Sequence, residues 1–319
     1  MEIIKVDGLV KSYEDRKVVD DVSLVIHGGE IYGLFGPNGS GKSTTIRMLT
    51  GLTPPNRGRI VLNPKGSRID VRKKPMEVRE YIGILTEAPA VYESMELFQY
   101  LRFYALMSRI HKDEVTNRVL EVVSIVDMED HLYRTLGKLS MGEKQRVEIA
   151  RVLLKDAPVL FLDEPFNGID VTTRRQIRDY LKHNWLTPEK CIFFTSHNLL
   201  ESEHFVDRFA FIYEGKIIAT GDEMEMQKVN QTKRFEILFG EARDARDALR
   251  FLVEKHMLSE GEVLGYRLLF TQSSDYQVEE VIRFLVDKDL SFSSIQPIGT
   301  LEDIFIELVN EKREQEGNT

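Results

Sequence analysis

The sequence predicts an α/β core followed by a small α+β domain, and three patterns support this prediction. First, an apolar strand, a glycine-rich turn and a helix follow one another within residues 31–51. Second, the apolar run Val159–Leu162 ends in two acids and is typical of a buried central strand. Third, strand and helix patterns alternate again after Gly221. Strands alternating with helices indicate sheets that are covered by helices.

Composition restricts the classes of function. The chain has 319 residues, of which 42% are hydrophobic and 30% charged, which suits a globular protein of two domains. Its net charge of −9 argues against a general nucleic-acid binder, because basic surfaces bind phosphate backbones. The single cysteine, Cys191, is the first residue of an apolar run, which predicts that it is buried. The N-terminus does not resemble a signal peptide and no apolar run is long enough for a membrane span, so we expect a cytoplasmic protein.

The glycine-rich turn carries a complete phosphate-binding pattern, since GPNGSGKS at 36–43 fits G-x-x-x-x-G-K-[ST] at every fixed position. Glycines let backbone N–H groups approach a phosphate, and the start of the helix adds partial positive charge. Lys42 can reach the β- and γ-phosphates, and the Ser43 hydroxyl can bind Mg²⁺. A turn without a ligand is the alternative, but the strand before it and the helix after it argue against that. The predicted nucleotide-binding residues of this turn are Gly36, Pro37, Asn38, Gly39, Ser40, Gly41, Lys42, Ser43 and Thr44.

The second strand places Asp163 and Glu164 at its carboxyl end, the edge where ligands of open α/β sheets bind. We expect Asp163 to hold Mg²⁺, directly or through water, and Glu164 to orient or deprotonate an attacking water. A helix cap or turn would also use such acids, but the phosphate loop upstream argues against it. His197 follows the buried strand Cys191–Thr195 and points to the same edge, although a single histidine is more often structural.

Three weaker signals remain in the first part of the chain. Tyr13 precedes the phosphate loop and is either a half-buried aromatic residue or a stacking platform for adenine. Glu87 closes a short strand at 81–85. Ser140 starts a helix and Glu143 completes a capping-box pattern, so a helix cap alone would explain both. Helical spacing dominates from Ser94 to about Asp156, and its apolar stripes predict core positions.

The last third of the chain predicts a second unit. A polar linker or short helix at 222–232 comes first. The predicted strands and helices then follow in the order β-α-β-α-β, at 234–239, 242–257, 263–271, 278–285 and 291–296. This order suggests a small ferredoxin-like α+β domain. Thr300 and Asp303 form a capping box for a final helix, and the charged tail 311–319 is expected to fray.

Taken together, the motifs resemble those of the ATP-binding cassette (ABC) ATPases, the nucleotide-binding subunits of ABC transporters. The matching segments are GPNGSGKST at 36–44 (Walker A), LSMGE at 139–143 (signature), VLFLDEP at 159–165 (Walker B and catalytic glutamate), NGID at 167–170 (D-loop) and SH at 196–197 (switch histidine). Tyr13 falls where the family keeps its adenine-stacking aromatic residue. The resemblance covers residues 1–221 and implies a P-loop NTPase core of the ABC type, with a mixed sheet and a helical subdomain at about 88–157. Residues 222–319 would be an accessory domain.

The resemblance also implies a mechanism in which two subunits dimerise head to tail, with ATP and Mg²⁺ between one subunit's Walker motifs and the other's signature. Lys42 and the loop would hold the phosphates. Glu164 would polarise the attacking water and His197 would contact the γ-phosphate. The residues implied in metal binding are Ser43, Glu87 and Asp163. Those implied in contacts across the dimer are Ser140 and Gly142, which reach the partner's ATP, and Asp170, which couples the two sites.

Three positions depart from the usual motifs: Glu87 replaces a Q-loop glutamine, Met141 a signature glycine and Glu143 the signature glutamine. Together with TLEDIFIEL at 300–308 and the α+β unit, they resemble the exporter branch that pairs with type-2 permeases. This predicts an ATP-hydrolysing exporter subunit on the inner face of the cell membrane. Its expected partners are a separate integral membrane permease and a second ABC ATPase subunit, identical or different, with no nucleic acid.

Three alternatives stay open from the sequence. The chain could serve an importer, with the C-terminal domain binding a regulatory ligand. It could be a soluble ABC ATPase acting on ribosomes or DNA, although such proteins usually carry two cassettes or long coiled-coil insertions. It could bind nucleotide without catalysis, against which Glu164 and His197 argue.

Overall fold

The computed structural model divides the chain into two compact units, Met1–Asp222 and Glu223–Thr319. The residues that it describes are 1–198, 205–222, 234–273, 276–297 and 309. Most of the predicted polar segment at 222–232, the predicted helix at 300–308 and the tail at 311–319 lie outside them. Within the described part of the chain, every helix is too short or too polar to span a bilayer.

The first unit combines two sheets with helices. Its described strands are β1 (Glu2–Tyr13), β2 (Arg16–His27), β3 (Ile31–Phe35), β4 (Arg57–Leu62), β5 (Ile69–Asp70), β6 (Ile82–Leu85), β7 (Val159–Asp163), β8 (Cys191–Ser196), β9 (Arg208–Tyr213) and β10 (Lys216–Gly221). Its described helices are α1 (Lys42–Leu49), α2 (Pro75–Val78), α3 (Leu97–Met107), α4 (Lys112–Ile125), α5 (Met141–Leu154) and α6 (Val171–Tyr180). Strands β2-β1-β4-β5 form an antiparallel sheet in that order.

The larger sheet has the order β10-β9-β3-β8-β7-β6 and is parallel except at β9–β10. It is therefore a mixed sheet, as predicted. All residues of β3, β7 and β8 are buried, which explains their continuous apolar sequences. The core between the sheets includes Tyr32 and Phe193, whose rings stack with centroids 6.0 Å apart. Burial raises the pKa of Tyr32 to about 12.

Three longer helices follow one another between β6 and β7. Helices α3, α4 and α5 pack against one another, with Leu97 and Leu101 buried on α3 and Val115, Val119 and Val122 buried on α4. These are the positions that the helical spacing predicted as core, so the periodic stripes are confirmed as packing surfaces.

The second unit contains β11 (Arg234–Phe239), α7 (Ala242–Glu254), β12 (Leu258–Leu264), β13 (Arg267–Gln272), α8 (Val278–Asp287) and β14 (Phe292–Pro297). Its sheet is antiparallel in the order β12-β13-β11-β14. The single strand predicted at 263–271 was wrong, because the chain turns at Gly265, whose φ of +64° suits glycine. Strand β12 escaped prediction because Ser259, Gly261 and the glutamates beside it give it no apolar alternation. The resulting β-α-β-β-α-β order is that of ferredoxin-like domains.

Candidate functional site

The phosphate loop, residues 36–43, links the end of β3 to the start of α1. Two of its glycines are required by close backbone contacts. A Cβ at Gly36 would lie 2.2 Å from the carbonyl oxygen of Ile212, and one at Gly41 would lie 2.6 Å from that of Val18. Gly41 also has a φ of +112°, which other residues rarely adopt. The loop therefore sits tightly against β2 and β9, and its backbone is held in a fixed shape.

Lys42 is the cation of this loop. Its side chain is 6% exposed, and Nζ donates hydrogen bonds to the carbonyls of Gly36 at 2.8 Å and Pro37 at 3.2 Å. Nζ also lies 3.5 Å from Oε1 of Glu164. The loop and the end of β7 are thus joined by a buried ion pair, which the sequence did not predict.

Glu164 lies between two basic side chains. Its Oε2 is 2.9 Å from Nδ1 of His197, while its Oε1 faces Lys42. The Glu164 backbone has a φ of +49°, an uncommon value for a residue with a side chain. Its N–H is held by the carbonyl and the hydroxyl of Thr195, both at 3.2 Å. This backbone turn directs the carboxylate along the carboxyl edge of the sheet, towards Lys42 and His197.

The register of the strands explains why Glu87 belongs to the same edge. Leu85 pairs with Leu162, so Glu87 and Glu164 each stand two residues beyond a matched pair. Glu87, Ser43 and Glu164 accordingly line one cleft of about 170 Å³ at the phosphate loop. The other residues lining this cleft are Val18, Asn38, Gly39, Gly41, Lys42 and Thr44.

The oxygen atoms at this edge fit Mg²⁺ held together with a nucleotide. Asp163 is 5% exposed and accepts a hydrogen bond from the Thr195 hydroxyl at 2.6 Å, so its carboxylate is fixed. Oε1 of Glu164, which faces Lys42, and Oγ of Ser40 are buried without a hydrogen-bond partner, as expected of atoms that meet an incoming group. Within the described residues, no group of three acidic, histidine or cysteine side chains is close enough to hold a metal alone. Mg²⁺ usually takes one or two carboxylates together with substrate phosphates, a role that Asp163 fits.

The predicted capping box at the start of α5 is confirmed. The Ser140 N–H donates to Oε2 of Glu143 at 2.6 Å, and the Glu143 N–H donates to Oγ of Ser140 at 3.2 Å. Gly142 packs so closely on a neighbouring turn that a Cβ would lie 2.1 Å from the carbonyl oxygen of Gly168. Met141 is 64% exposed. We call residues 140–143 the signature turn.

Asp170 caps the next helix, α6. Its Oδ1 accepts the N–H of Thr173 at 3.0 Å. That hydrogen bond holds the pKa of the Asp170 carboxyl below its ordinary value. Asp170 follows Gly168 in the same turn, so the segment that packs on the signature turn also carries this carboxylate.

Not all predicted residues come together. Ser140, Gly142 and Asp170 are not among the residues that line the phosphate-loop cleft. Tyr13 is not among them either. It is the last residue of β1, pairs with Arg16 and is 45% exposed. Nζ of Lys11 lies 5.1 Å from the centre of its ring.

Two residues at the site were missed by sequence reasoning. Thr195 bridges Asp163 and the Glu164 backbone, but only the pairing of β7 with β8 brings it there. Gln145 is 2% exposed, and its Nε2 donates to the carbonyls of Pro165 at 3.2 Å and Glu164 at 3.4 Å. A polar residue on the apolar face of α5 was the available signal for Gln145.

Comparisons with known proteins identify the relatives of this chain. The family model described as "ABC transporter" matches residues 19–167. An uncharacterized ABC transporter ATP-binding protein of Bacillus subtilis is 30% identical over 316 residues, which is 98% of each chain. The bacitracin transport ATP-binding protein of Bacillus licheniformis is 34% identical over 96% of this chain and 97% of its own. A solved ATP-binding subunit of an ABC transporter is 28% identical with a TM-score of 0.63, covering 71% of this chain and 92% of that one.

Proposed function

Because this chain belongs to the ABC transporter family, as one of its ATP-hydrolysing subunits, we propose that it works as a head-to-tail dimer that powers export through a separate membrane permease. One observation carries the catalytic part of the proposal. Glu164 lies 3.5 Å from Lys42 and 2.9 Å from His197 at the carboxyl edge of the sheet, beside a loop shaped for phosphate.

In this proposal each of these side chains has its own role. Lys42 and the N–H groups of the loop bind the β- and γ-phosphates of ATP, which frees Lys42 from its present contacts with the loop carbonyls. Glu164 polarises the attacking water, and His197 contacts the γ-phosphate. Phosphoryl transfer depends mainly on positioning and on charge stabilisation, which this arrangement provides.

Ser43, Asp163 and Glu87 are the residues that would hold Mg²⁺ with the nucleotide. When bound, Mg²⁺ neutralises charge that develops on the phosphate oxygens. The fixed carboxylate of Asp163 and the position of Ser43 and Glu87 in one cleft support this assignment. Glutamate at position 87 keeps an oxygen ligand where the family usually has glutamine.

The dimer completes the site. Ser140 and Gly142 stand apart from the cleft of their own chain, beside an exposed Met141, and are therefore available to a second subunit. In the proposed dimer they reach the γ-phosphate of the partner's ATP, and Asp170 couples the two sites. Tyr13 would stack on adenine through its ring, which is 45% exposed.

The proposal of export rests on two observations. Alignment to the bacitracin transport protein covers 96% of this chain, so it includes the second unit as well as the cassette. The residues at 87, 141 and 143 resemble those of the exporter branch that uses type-2 permeases. The partners are then a membrane permease and a second ABC subunit on the inner face of the cell membrane. The net charge of −9 gives no support to a nucleic-acid partner.

The catalytic proposal is tested by Glu164→Gln. We expect the variant to bind ATP with the parent's affinity and to lose turnover by about 100-fold or more, because the amide cannot take up a proton from water. The assay measures steady-state phosphate release and, separately, binding of a fluorescent ATP analogue. Glu189→Gln, an exposed carboxylate away from the cleft, is the matched control. Unchanged hydrolysis by Glu164→Gln would remove Glu164 from the catalytic role.

A further inference from the structure

Glu143 makes contacts on both sides of its carboxylate. One oxygen, Oε2, accepts the N–H of Ser140 at 2.6 Å. The other, Oε1, lies 2.9 Å from Nε2 of His131 and 3.8 Å from Nη1 of Arg134. An ionised carboxylate only accepts hydrogen bonds, so the histidine nitrogen is the donor. Capping α5 requires only the first of these contacts, and the second joins the signature turn to another segment of the chain.

The charge of Glu143 strengthens this arrangement. Burial disfavours its ionised form, but the hydrogen bonds with Ser140 and the neighbouring His131 and Arg134 outweigh burial, so the pKa of Glu143 lies below its ordinary value. Glu143 is therefore ionised at neutral pH. Hydrogen bonds to an ionised acceptor are shorter and stronger than those to a neutral amide, and a negative charge suits the start of a helix. Glutamine at this position would lack both advantages.

Backbone hydrogen bonds hold the segment that carries His131. It ends a short 3₁₀ turn, Glu129–His131, and its carbonyl accepts the N–H of Arg134 at 2.8 Å. The next residues are bound to the start of α3, because the N–H groups of Leu97 and Phe98 donate to the carbonyls of Arg134 at 3.1 Å and Leu132 at 2.9 Å. The histidine ring is 26% exposed and Glu143 is 18% exposed, so the contact is partly shielded from water.

We propose that His131 is a positioning residue that acts through Glu143 to hold Ser140 and Gly142 in the orientation that meets the partner's ATP. This inference rests on the proposed head-to-tail dimer. The signature turn is then fixed on two sides, by the Gly168 backbone against Gly142 and by His131 against Glu143. His131 is not among the residues that line the phosphate-loop cleft of its own chain.

The test uses the full chain with Glu164→Gln, which lets ATP-bound dimers accumulate. Sedimentation at a series of protein concentrations, with ATP and Mg²⁺, gives the dimer dissociation constant. His131→Ala is expected to raise this constant about tenfold to 100-fold, as for loss of a hydrogen bond to a charged group. ATP affinity of the monomer, measured with a fluorescent ATP analogue, is expected to stay unchanged. His111→Ala is the matched control. In the described structure, the ion pair of His111 is with the exposed Asp113, at 3.4 Å.

A double-mutant cycle separates positioning from general packing. With Glu143→Ala already present, His131→Ala is expected to cause no further loss, because alanine offers the histidine no acceptor. His131→Gln, which keeps a donor, should recover most of the dimer affinity.

Three results would overturn the inference: an unchanged dimer constant for His131→Ala, an equal loss in both backgrounds, or weaker ATP binding by the monomer. If the Glu164→Gln parent itself formed no dimer with ATP, the dimer proposal would fail together with this inference. If the parent dimerised and His131→Ala dimerised equally well, only the inference would fail.

Discussion

At the scale of single residues, the site depends on a few backbone positions that tolerate little change. The loop glycines at 36 and 41 touch carbonyl oxygens that a Cβ would strike, and Glu164 holds a left-handed backbone conformation with the help of Thr195. A strained backbone conformation costs free energy and persists only where the surrounding structure holds it. Such conformations often occur at functional sites. Gly142 belongs to this group because of its contact with Gly168.

Gly142→Ala is expected to impair the protein although alanine is the better helix former by about 1 kcal/mol. The added Cβ would lie 2.1 Å from the Gly168 carbonyl oxygen, so one of the two turns must move. We expect a free energy of unfolding lower by about 1–3 kcal/mol, as for other overpacked sites, and at least tenfold slower ATP hydrolysis. Urea denaturation and phosphate release measure the two effects. Gly240→Ala is the control, since a Cβ there meets nothing within 4 Å. A Gly142→Ala variant as stable and active as the parent would contradict the requirement for close packing.

At the scale of secondary-structure elements, a buried polar cluster joins α3, α5 and β6. Glu148 on α5 accepts a hydrogen bond from the Tyr100 hydroxyl on α3, and Arg151 donates to both oxygens of Glu148 at 3.0–3.2 Å. Arg151 also donates to the carbonyl of Ile84 on β6 at 3.1 Å, three residues before Glu87. Burial and the Glu148 charge raise the pKa of Tyr100, so its hydroxyl stays protonated and remains a donor. The cluster therefore ties the helices to the strand that leads into the cleft.

Tyr100→Phe tests this cluster. Removing the hydroxyl leaves a carboxylate oxygen of Glu148, which is 3% exposed, with Arg151 as its remaining described partner, and burying an under-bonded polar atom costs about 1–3 kcal/mol. We expect the free energy of unfolding to fall by that amount in urea denaturation. Tyr133→Phe is the control, because Tyr133 is 72% exposed. Equal stability of both variants would mean that the Tyr100 hydrogen bond contributes nothing to the packing of α3 on α5.

At the scale of the whole molecule, the two units have separate hydrophobic cores and differ in the functional motifs that they carry. The first contains the phosphate loop and its cleft. The second buries residues such as Ile237, Leu252 and Leu285 under a four-stranded sheet, and its described residues carry no phosphate-binding motif. Two relatives align with nearly the whole chain, so the alignments include both units. Among the described residues, no helix is long and apolar enough to span a membrane. The proposed export uses a separate membrane permease.

The Glu164→Gln chain, trapped with ATP, is expected to capture that protein from detergent-solubilised membranes. The measurement is a pull-down followed by mass spectrometry, and the expected result is a polytopic membrane protein. Lys42→Ala is the control, since loss of the buried cation should weaken ATP binding and with it the closed dimer. Recovery of ribosomes or nucleic acid without a membrane protein would favour the soluble-ATPase alternative. A small ligand that binds the second unit and inhibits hydrolysis would favour an importer.

The sequence by itself predicted the local part of this protein. The phosphate loop, the strand ending in Asp163 and Glu164, and the capping box of Ser140 and Glu143 are each contained in a short segment. Their residue types and spacing can be read directly from the sequence. Glycines indicate a close backbone approach, and a serine followed three residues later by a glutamate indicates a capped helix start. For the same reason, the helical stripes of α3 and α4 and most strands were predictable from periodicity.

Tertiary structure alone decided which distant segments meet. The bridge from Thr195 to Asp163 and the contact of Glu164 with Lys42 depend on strand register, which sequence spacing does not reveal. The contact of His131 with Glu143 depends on how a 3₁₀ turn lies beside α5. Strand β12 was missed because a polar edge strand gains its hydrogen bonds from β13 and needs no apolar pattern of its own. Local motifs depend on residues that are neighbours in the sequence, whereas pairing between remote residues depends on the free energy of the whole packed chain.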